Sequence, residues 1–189
     1  MRITLLILSL LTATAAQARI PVLNVSDLYG GRGGLELLGN CTSIRACQLE
    51  PVSGDWNRPP ETYAGYRIRG TSELREADVR LVRALLRDEA TYDWPDQVQK
   101  DGSIVPHEAN CQPFYHVRLE LRSGDDVLAV NFCFFCPGVL VAKNDRVLQH
   151  AYLGPKSHEL LQLLARVFPR DKLLRTALAR QAQAATPVK

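Results

Sequence analysis

The feature that most constrains the fold is the block from Pro113 to Tyr152, where apolar residues alternate on both sides of a tight turn at Ser123-Gly124-Asp125-Asp126. With Gly124 and Asp125 at the centre of a two-residue turn, Tyr115 faces Phe134, Val117 faces Phe132, Leu119 faces Val130 and Leu121 faces Leu128. All eight are apolar, and a slip of one residue would turn every one of them to the other face, so the pattern specifies its own register. Pro137-Gly138 turns the chain into a third strand, Val139 to Lys143, and Asn144-Asp145 into a fourth, Arg146 to Tyr152. The expected architecture is α+β: a four-stranded antiparallel meander with two or three helices packed on its apolar face, stapled by disulfides.

Helical spacing supplies the cover. Val79, Val82, Leu85 and Leu86 recur at intervals of three and four, predicting a helix from Ser72, as its cap, to about Glu89. Ser157 is placed to cap a second helix carrying Leu160, Leu161, Leu163, Leu164 and Val167, stopped by Pro169. A third begins near Arg170 and carries Leu173, Leu174 and Leu178. Tyr63 to Gly70 alternates as a strand, Leu35 to Leu38 suggests a short one, and residues 50 to 62 form a loop around Pro51, Gly54, Pro59 and Pro60. A long polar connection runs from Trp94 to Pro113. The glycines at 30, 31, 33 and 34 form a plain loop, because no Gly-Lys-Ser/Thr follows them as a phosphate-binding loop requires.

The first eighteen residues combine Arg2, an apolar run from Ile3 to Leu11 and the small-x-small site Ala16-Gln17-Ala18, which together describe a secretory signal peptide. Its removal would leave a single domain over residues 19 to 180 with a flexible tail, 181 to 189, in the periplasm or secreted. The apolar run falls short of a bilayer span, so no membrane insertion is expected. The formal net charge of +3, or +2 once Arg2 is lost, is too balanced for a nucleic-acid partner, leaving another protein as the expected one. The sequence is silent on oligomeric state.

Five cysteines in an oxidising compartment leave one unpaired. Cys41 and Cys47 close a short loop and are expected to bridge, presenting Arg45 as a candidate binding residue. Cys111 and Cys136 share the apolar face at the open end of the hairpin and form the natural second bridge. Cys133 then remains as the free thiol, opposite His116, a juxtaposition that invites comparison with a Cys-His nucleophile pair. Cys133-Phe134-Phe135-Cys136 is also a C-x-x-C motif, but it lacks the strand-to-helix setting of dithiol enzymes. Zinc would require Cys111, Cys133, Cys136 and His107 together. No complete catalytic constellation is legible and no metal or cofactor is expected. The chain is therefore read as a non-enzymatic binding protein of inhibitor, immunity or accessory type, the alternative being a thiol-redox or metal-binding protein built on residues 133 to 136.

At Cys111, Pro113, Tyr115, His116 and Val117, at Asn131 to Cys136 and at Leu164 to Pro169, the chain resembles small bacterial proteins of unknown function. In these a cysteine-proline strand start precedes a Cys-Phe-x-Cys strand and then a helix ending in Phe-Pro. The resemblance spans about residues 75 to 178, leaves residues 19 to 74 outside, and implies no activity or ligand.

Overall fold

The computed structural model describes residues 22–51, 66–94, 96–101, 104–106 and 114–184. The proposed signal peptide, Cys111 and His107 lie outside them. Two short helices, α1 (Val25–Leu28) and α2 (Arg32–Asn40), lead into strand β1 (Ser43–Pro51); β2 (Tyr66–Glu73) and helix α3 (Glu76–Leu86) follow. A 3-10 turn over Glu89–Thr91 enters β3 (Tyr92–Asp93), and β4 (Asp96–Val98) pairs with β5 (Ile104–Pro106) as a separate ribbon. Then come β6 (Val117–Ser123), β7 (Asp126–Cys133), β8 (Gly138–Lys143), β9 (Arg146–Leu153), α4 (Ser157–Val167) and α5 (Lys172–Ala184).

Among the described residues the sheet has seven antiparallel strands in the order β2-β1-β6-β7-β8-β9-β3, with five α-helices in place of the expected two or three. The expected four-stranded meander is only its centre. The register there follows the apolar alternation, with Val117 opposite Phe132, Leu119 opposite Val130 and Leu121 opposite Leu128. These residues share one buried core with Val25 and Leu28 of α1, Leu37 and Leu38 of α2, Val82 and Leu86 of α3, Leu160 and Leu164 of α4, and Leu174 of α5. Helix periodicity and strand alternation thus deliver their apolar faces to the same layer. Asn144 and Asp145 both adopt positive φ, 48° and 62°, as the right-handed twist of the β8–β9 hairpin requires.

The fourth expected pair, Tyr115 with Phe134, does not form. The His116 N–H donates to Phe132 O at 3.0 Å, although Phe132 is already the register partner of Val117. One extra residue therefore enters at the start of β6, and such a bulge reverses the alternation upstream of it. Tyr115 packs instead in a smaller cluster with Cys47, Leu49, Cys133 and Leu140, while Phe134 stays in the main core.

Three local expectations are also revised. Leu35 to Leu38 belongs to α2 and not to a strand, because α2 begins directly at Arg32 within the glycine-rich stretch. Ser72 lies in β2 and caps nothing; α3 starts after Arg75 without a side-chain cap. Ser157 is the first residue of α4, the cap position falling on Lys156.

The segment from Cys41 to Cys47 is not a closed loop. Ser43 to Cys47 runs extended within β1, and four strand steps span roughly 13 Å. A disulfide needs Cα atoms about 4.4–6.8 Å apart, so the expected staple between Cys41 and Cys47 is ruled out. The two also belong to different clusters, Cys41 to the main core and Cys47 to the smaller one. No two described cysteines bridge each other: Cys41, Cys47 and Cys133 are buried free thiols. Cys136 is not among the free thiols, and its expected partner Cys111 lies outside the described residues.

Burial pushes the Cys47 thiol up to about 11, with the Glu120 charge adding to the effect. Cys41, Cys47 and Cys133 should therefore resist alkylation at neutral pH in the native protein and all react after denaturation, read as mass shifts on their peptides. Labelling of Cys47 or Cys133 without unfolding would contradict their burial.

Candidate functional site

A concavity among the described residues lies at the β3 end of the sheet, and its walls are fixed by backbone hydrogen bonds. After α3, Asp88 accepts from the Ala90 N–H at 2.9 Å and pairs with Lys156 Nζ at 2.5 Å, while the Thr91 hydroxyl donates to Leu85 O at 2.6 Å. The 3-10 turn is then tied to the start of α4, with the Gly154 N–H donating to Thr91 O and the Lys156 N–H to Ala90 O. A Cβ on residue 154 would lie 2.4 Å from Tyr92 O, so this approach is open only to glycine. The Tyr29 and Tyr92 hydroxyls meet at 2.8 Å, and Tyr92 donates onward to Leu86 O at 3.0 Å. Burial raises both phenols above their ordinary range, so both stay protonated and Tyr92 is anchored from beneath.

The resulting cleft measures about 990 Å³. β3 contributes Tyr92 and Asp93, the β7–β8 turn Phe134 and Pro137, and the end of β9 Leu153, followed by Gly154 and Pro155. Ser157, His158 and Gln162 come from α4, and Leu178, Gln181 and Ala182 from α5. This volume is at the upper end of ordinary ligand pockets, and a mainly apolar wall with a few polar groups is their usual chemistry. Ser157 is only 3% exposed. The His158 Nδ1 lies 3.0 Å from Pro155 O; because a carbonyl only accepts, Nδ1 carries the proton and Nε2 is left as an acceptor when the ring is neutral. Gln181 Oε1 is buried without a hydrogen-bond partner among the described residues.

Residues singled out in the sequence lie elsewhere. Arg45 is a strand residue of β1, not the tip of a loop, and its guanidinium is committed to Glu120 through both Nε, at 2.9 Å, and Nη2. Glu120 is 4% exposed and also accepts from Arg122 Nη2 at 3.1 Å, while Arg118 Nε lies 3.3 Å from it as an ion pair without a hydrogen bond; Arg118 Nη2 in turn donates to Asp145 at 3.2 Å. Burial pushes the Glu120 carboxyl up, but the hydrogen bonds from Arg45 and Arg122 and the neighbouring positive charges outweigh it, and the net shift is below the ordinary value. With three guanidinium groups gathered on one buried carboxylate, the network is a structural element of the sheet, and Arg45 is not a presented binding residue.

Cys133 and His116 do not form a nucleophile pair. The Cys133 sulfur accepts the Cys136 N–H at 3.2 Å, whereas His116 Nδ1 bonds Phe114 O at 2.6 Å and its Nε2 has no hydrogen-bond partner among the described residues. The bulge takes His116 out of the simple cross-strand position and sets its ring against Phe114, Phe134 and Phe135. No group of three His, Cys, Asp or Glu residues among those described is arranged to hold a metal ion.

Burial lowers the His116 pKa below 6.5, although the bond to Phe114 O and the Asp171 charge act the other way. A histidine held neutral in the fold stabilises it fully above its unfolded pKa, and that contribution is lost as pH falls toward the folded value. The slope between about pH 7 and pH 5 should therefore flatten in His116→Leu, as read from thermal unfolding. An unchanged slope would contradict the assignment.

Comparison with protein-family models, curated proteins and solved structures finds no match to this chain. Among the described residues, no helix is long and apolar enough to cross a membrane.

Proposed function

We propose that this chain is a periplasmic or secreted binding protein without catalysis of its own, and that the cleft between β3, α4 and α5 receives an apolar segment of a partner protein. The observation that carries this reading is the cleft itself: about 990 Å³, apolar over most of its wall and open at the surface of a braced end of the sheet. The sheet's opposite edge is a poorer surface for pairing with another chain. β2 there is irregular opposite Gln48 and Leu49 and presents the exposed Arg67 and Arg69, features that discourage further strand addition.

The test places a photo-crosslinking amino acid at Gln162 or Gln181, with Arg69 as the control. A single discrete adduct in the native envelope, formed from both cleft positions and not from 69, is the expected outcome. The purified partner should then bind at least tenfold more weakly to Leu178→Arg, with far-ultraviolet circular dichroism unchanged. Adducts formed only from position 69 would move the interface to the sheet edge and overturn the reading.

A further inference from the structure

We propose that the turn joining α4 to α5 adsorbs to the surface of an anionic phospholipid bilayer, its cations meeting lipid phosphates while Leu173 enters the headgroup layer. The near balance of the whole chain hides this corner. Residues 166 to 175 hold Arg166, Arg170, Lys172 and Arg175 against a single acid, Asp171. All four basic residues are exposed. None of them pairs with a carboxylate among the described residues, whereas Arg32, Arg67, Arg75 and Arg80 on other surfaces each hold one.

The fold braces this corner from within. Asp171 turns its carboxylate inward: Oδ1 accepts the Leu173 and Leu174 N–H groups at 2.8 and 3.1 Å, and Oδ2 accepts Gln48 Nε2 of β1 at 2.6 Å. The same residue therefore caps α5 and ties the turn to the sheet. Phe168 and Leu174, on either side of it, are buried in the main core, and the Asp171 N–H donates to Phe168 O at 3.0 Å. A charged surface held in place this way loses less conformational entropy when it meets its ligand.

A bilayer suits the corner better than an acidic segment of a protein. Pro169, Arg170, Lys172, Leu173, Arg175 and Thr176 are all exposed, so the turn projects as a convex tip. Peptides are recognised in grooves or along strand edges, which a convex tip does not offer, whereas a plane of headgroups can meet it end on. Leu173 is 43% exposed and stands in sequence between Lys172 and Arg175. An apolar side chain flanked by cations is the combination that seats at the boundary of headgroups and acyl chains, the long basic stems leaving their charges among the phosphates. The contact is adsorption and not insertion, because α4 and α5 keep their apolar faces in the core.

The corner is independent of the cleft. Ser157 and Gln162 line the cleft from the start of α4 and Leu178 and Ala182 from the end of α5, and the eleven residues of α4 set roughly 16 Å between the two ends. A chain adsorbed through the corner keeps its cleft open.

The experiment measures co-sedimentation of the full chain, at low salt, with vesicles of phosphatidylcholine alone or with about one-third phosphatidylglycerol. Each cation close to an anionic surface raises affinity about fivefold. The mixed vesicles should therefore bind at least tenfold more tightly than the neutral ones, and raising the salt should weaken them. Arg170→Gln should cost about three- to fivefold, and glutamine at 166, 170, 172 and 175 together should bring binding to the neutral level. Arg170→Lys should bind as wild type, and Leu173→Ser should weaken binding about threefold. Arg67→Gln with Arg69→Gln, on β2, should change nothing.

Equal binding to neutral and anionic vesicles, or binding that survives the quadruple replacement, would overturn the assignment. Loss through the Arg67 and Arg69 pair instead would move the contact to β2 and overturn it equally. Binding of a polyglutamate peptide without binding of vesicles would replace the bilayer with an acidic protein segment, and no binding of either vesicle would overturn the proposal outright. None of these outcomes bears on the cleft, whose crosslinking test stands apart.

Discussion

Replacing Glu120 with alanine is expected to lower folding stability by about 3 kcal/mol at neutral pH, the low end of what is lost when one partner of a buried charge cluster is removed. The low end applies because two of the released arginines can rehydrate: the Arg45 and Arg122 side chains are 33% and 44% exposed. Arg118, at 13%, cannot do so as easily, although Asp145 remains 3.2 Å from it. The pH dependence carries the sign. Glu120 titrates below its ordinary 4.5 in the fold, so its contribution is complete above the unfolded value and is lost as pH falls through the folded one. Denaturant unfolding of wild type and Glu120→Gln should differ most at neutral pH and converge in strong acid. Parallel curves across that range would show that the cluster contributes nothing specific.

The second large effect is expected at Gly34. A Cβ there would fall 1.8 Å from Tyr29 O and 2.8 Å from the same carbonyl carbon, so Gly34→Ala can be accommodated only by moving α2 away from the turn that follows α1. Overpacking against backbone costs roughly 3 kcal/mol where no side chain can rotate away. The displaced turn carries Tyr29, fully buried and joined to Tyr92 beneath the cleft, so the loss should propagate to ligand binding. Gly33, in the same helix, is the control. Nothing lies within 4 Å of a Cβ at that position, and Gly33→Ala should stabilise by about 0.5–1 kcal/mol through helix propensity alone. Equal effects of the two alanines on the unfolding midpoint would refute the close approach.

Several elements were legible from residue order because one physical signal dominated each. The β6–β7 register followed from apolar alternation around Gly124, and α3, α4 and α5 from apolar spacing near 3.6 residues. β1 was hidden: Ile44 and Ala46 alternate with Arg45 and Cys47 as a strand should, but two cysteines six apart in a chain expected to be exported suggested a closed loop instead. α2 was hidden by its glycines, whose close packing against Tyr29 is a tertiary property. The bulge at His116 leaves no mark in the sequence and misplaces both Tyr115 and the Cys133 partner.

The candidate site was the least legible part. Tyr92, Leu153, Ser157, Leu178 and Gln181 come from three separated stretches of chain, and Ser157 was read only for its helix-starting role. A cleft made where a two-residue edge strand meets two helices has no local periodicity to reveal it. The seventh strand, Tyr92–Asp93, is too short to show alternation at all.

The most direct test of the central claim, that the cleft is where this protein binds its partner, is amide hydrogen exchange of the chain with and without the partner recovered by crosslinking. Slowed exchange is expected over Leu153 to Gln162 and Leu178 to Ala182, with β1, β2 and β6 unchanged. Protection confined to β1, β2 and β6, with the cleft walls exchanging as in the free protein, would contradict it.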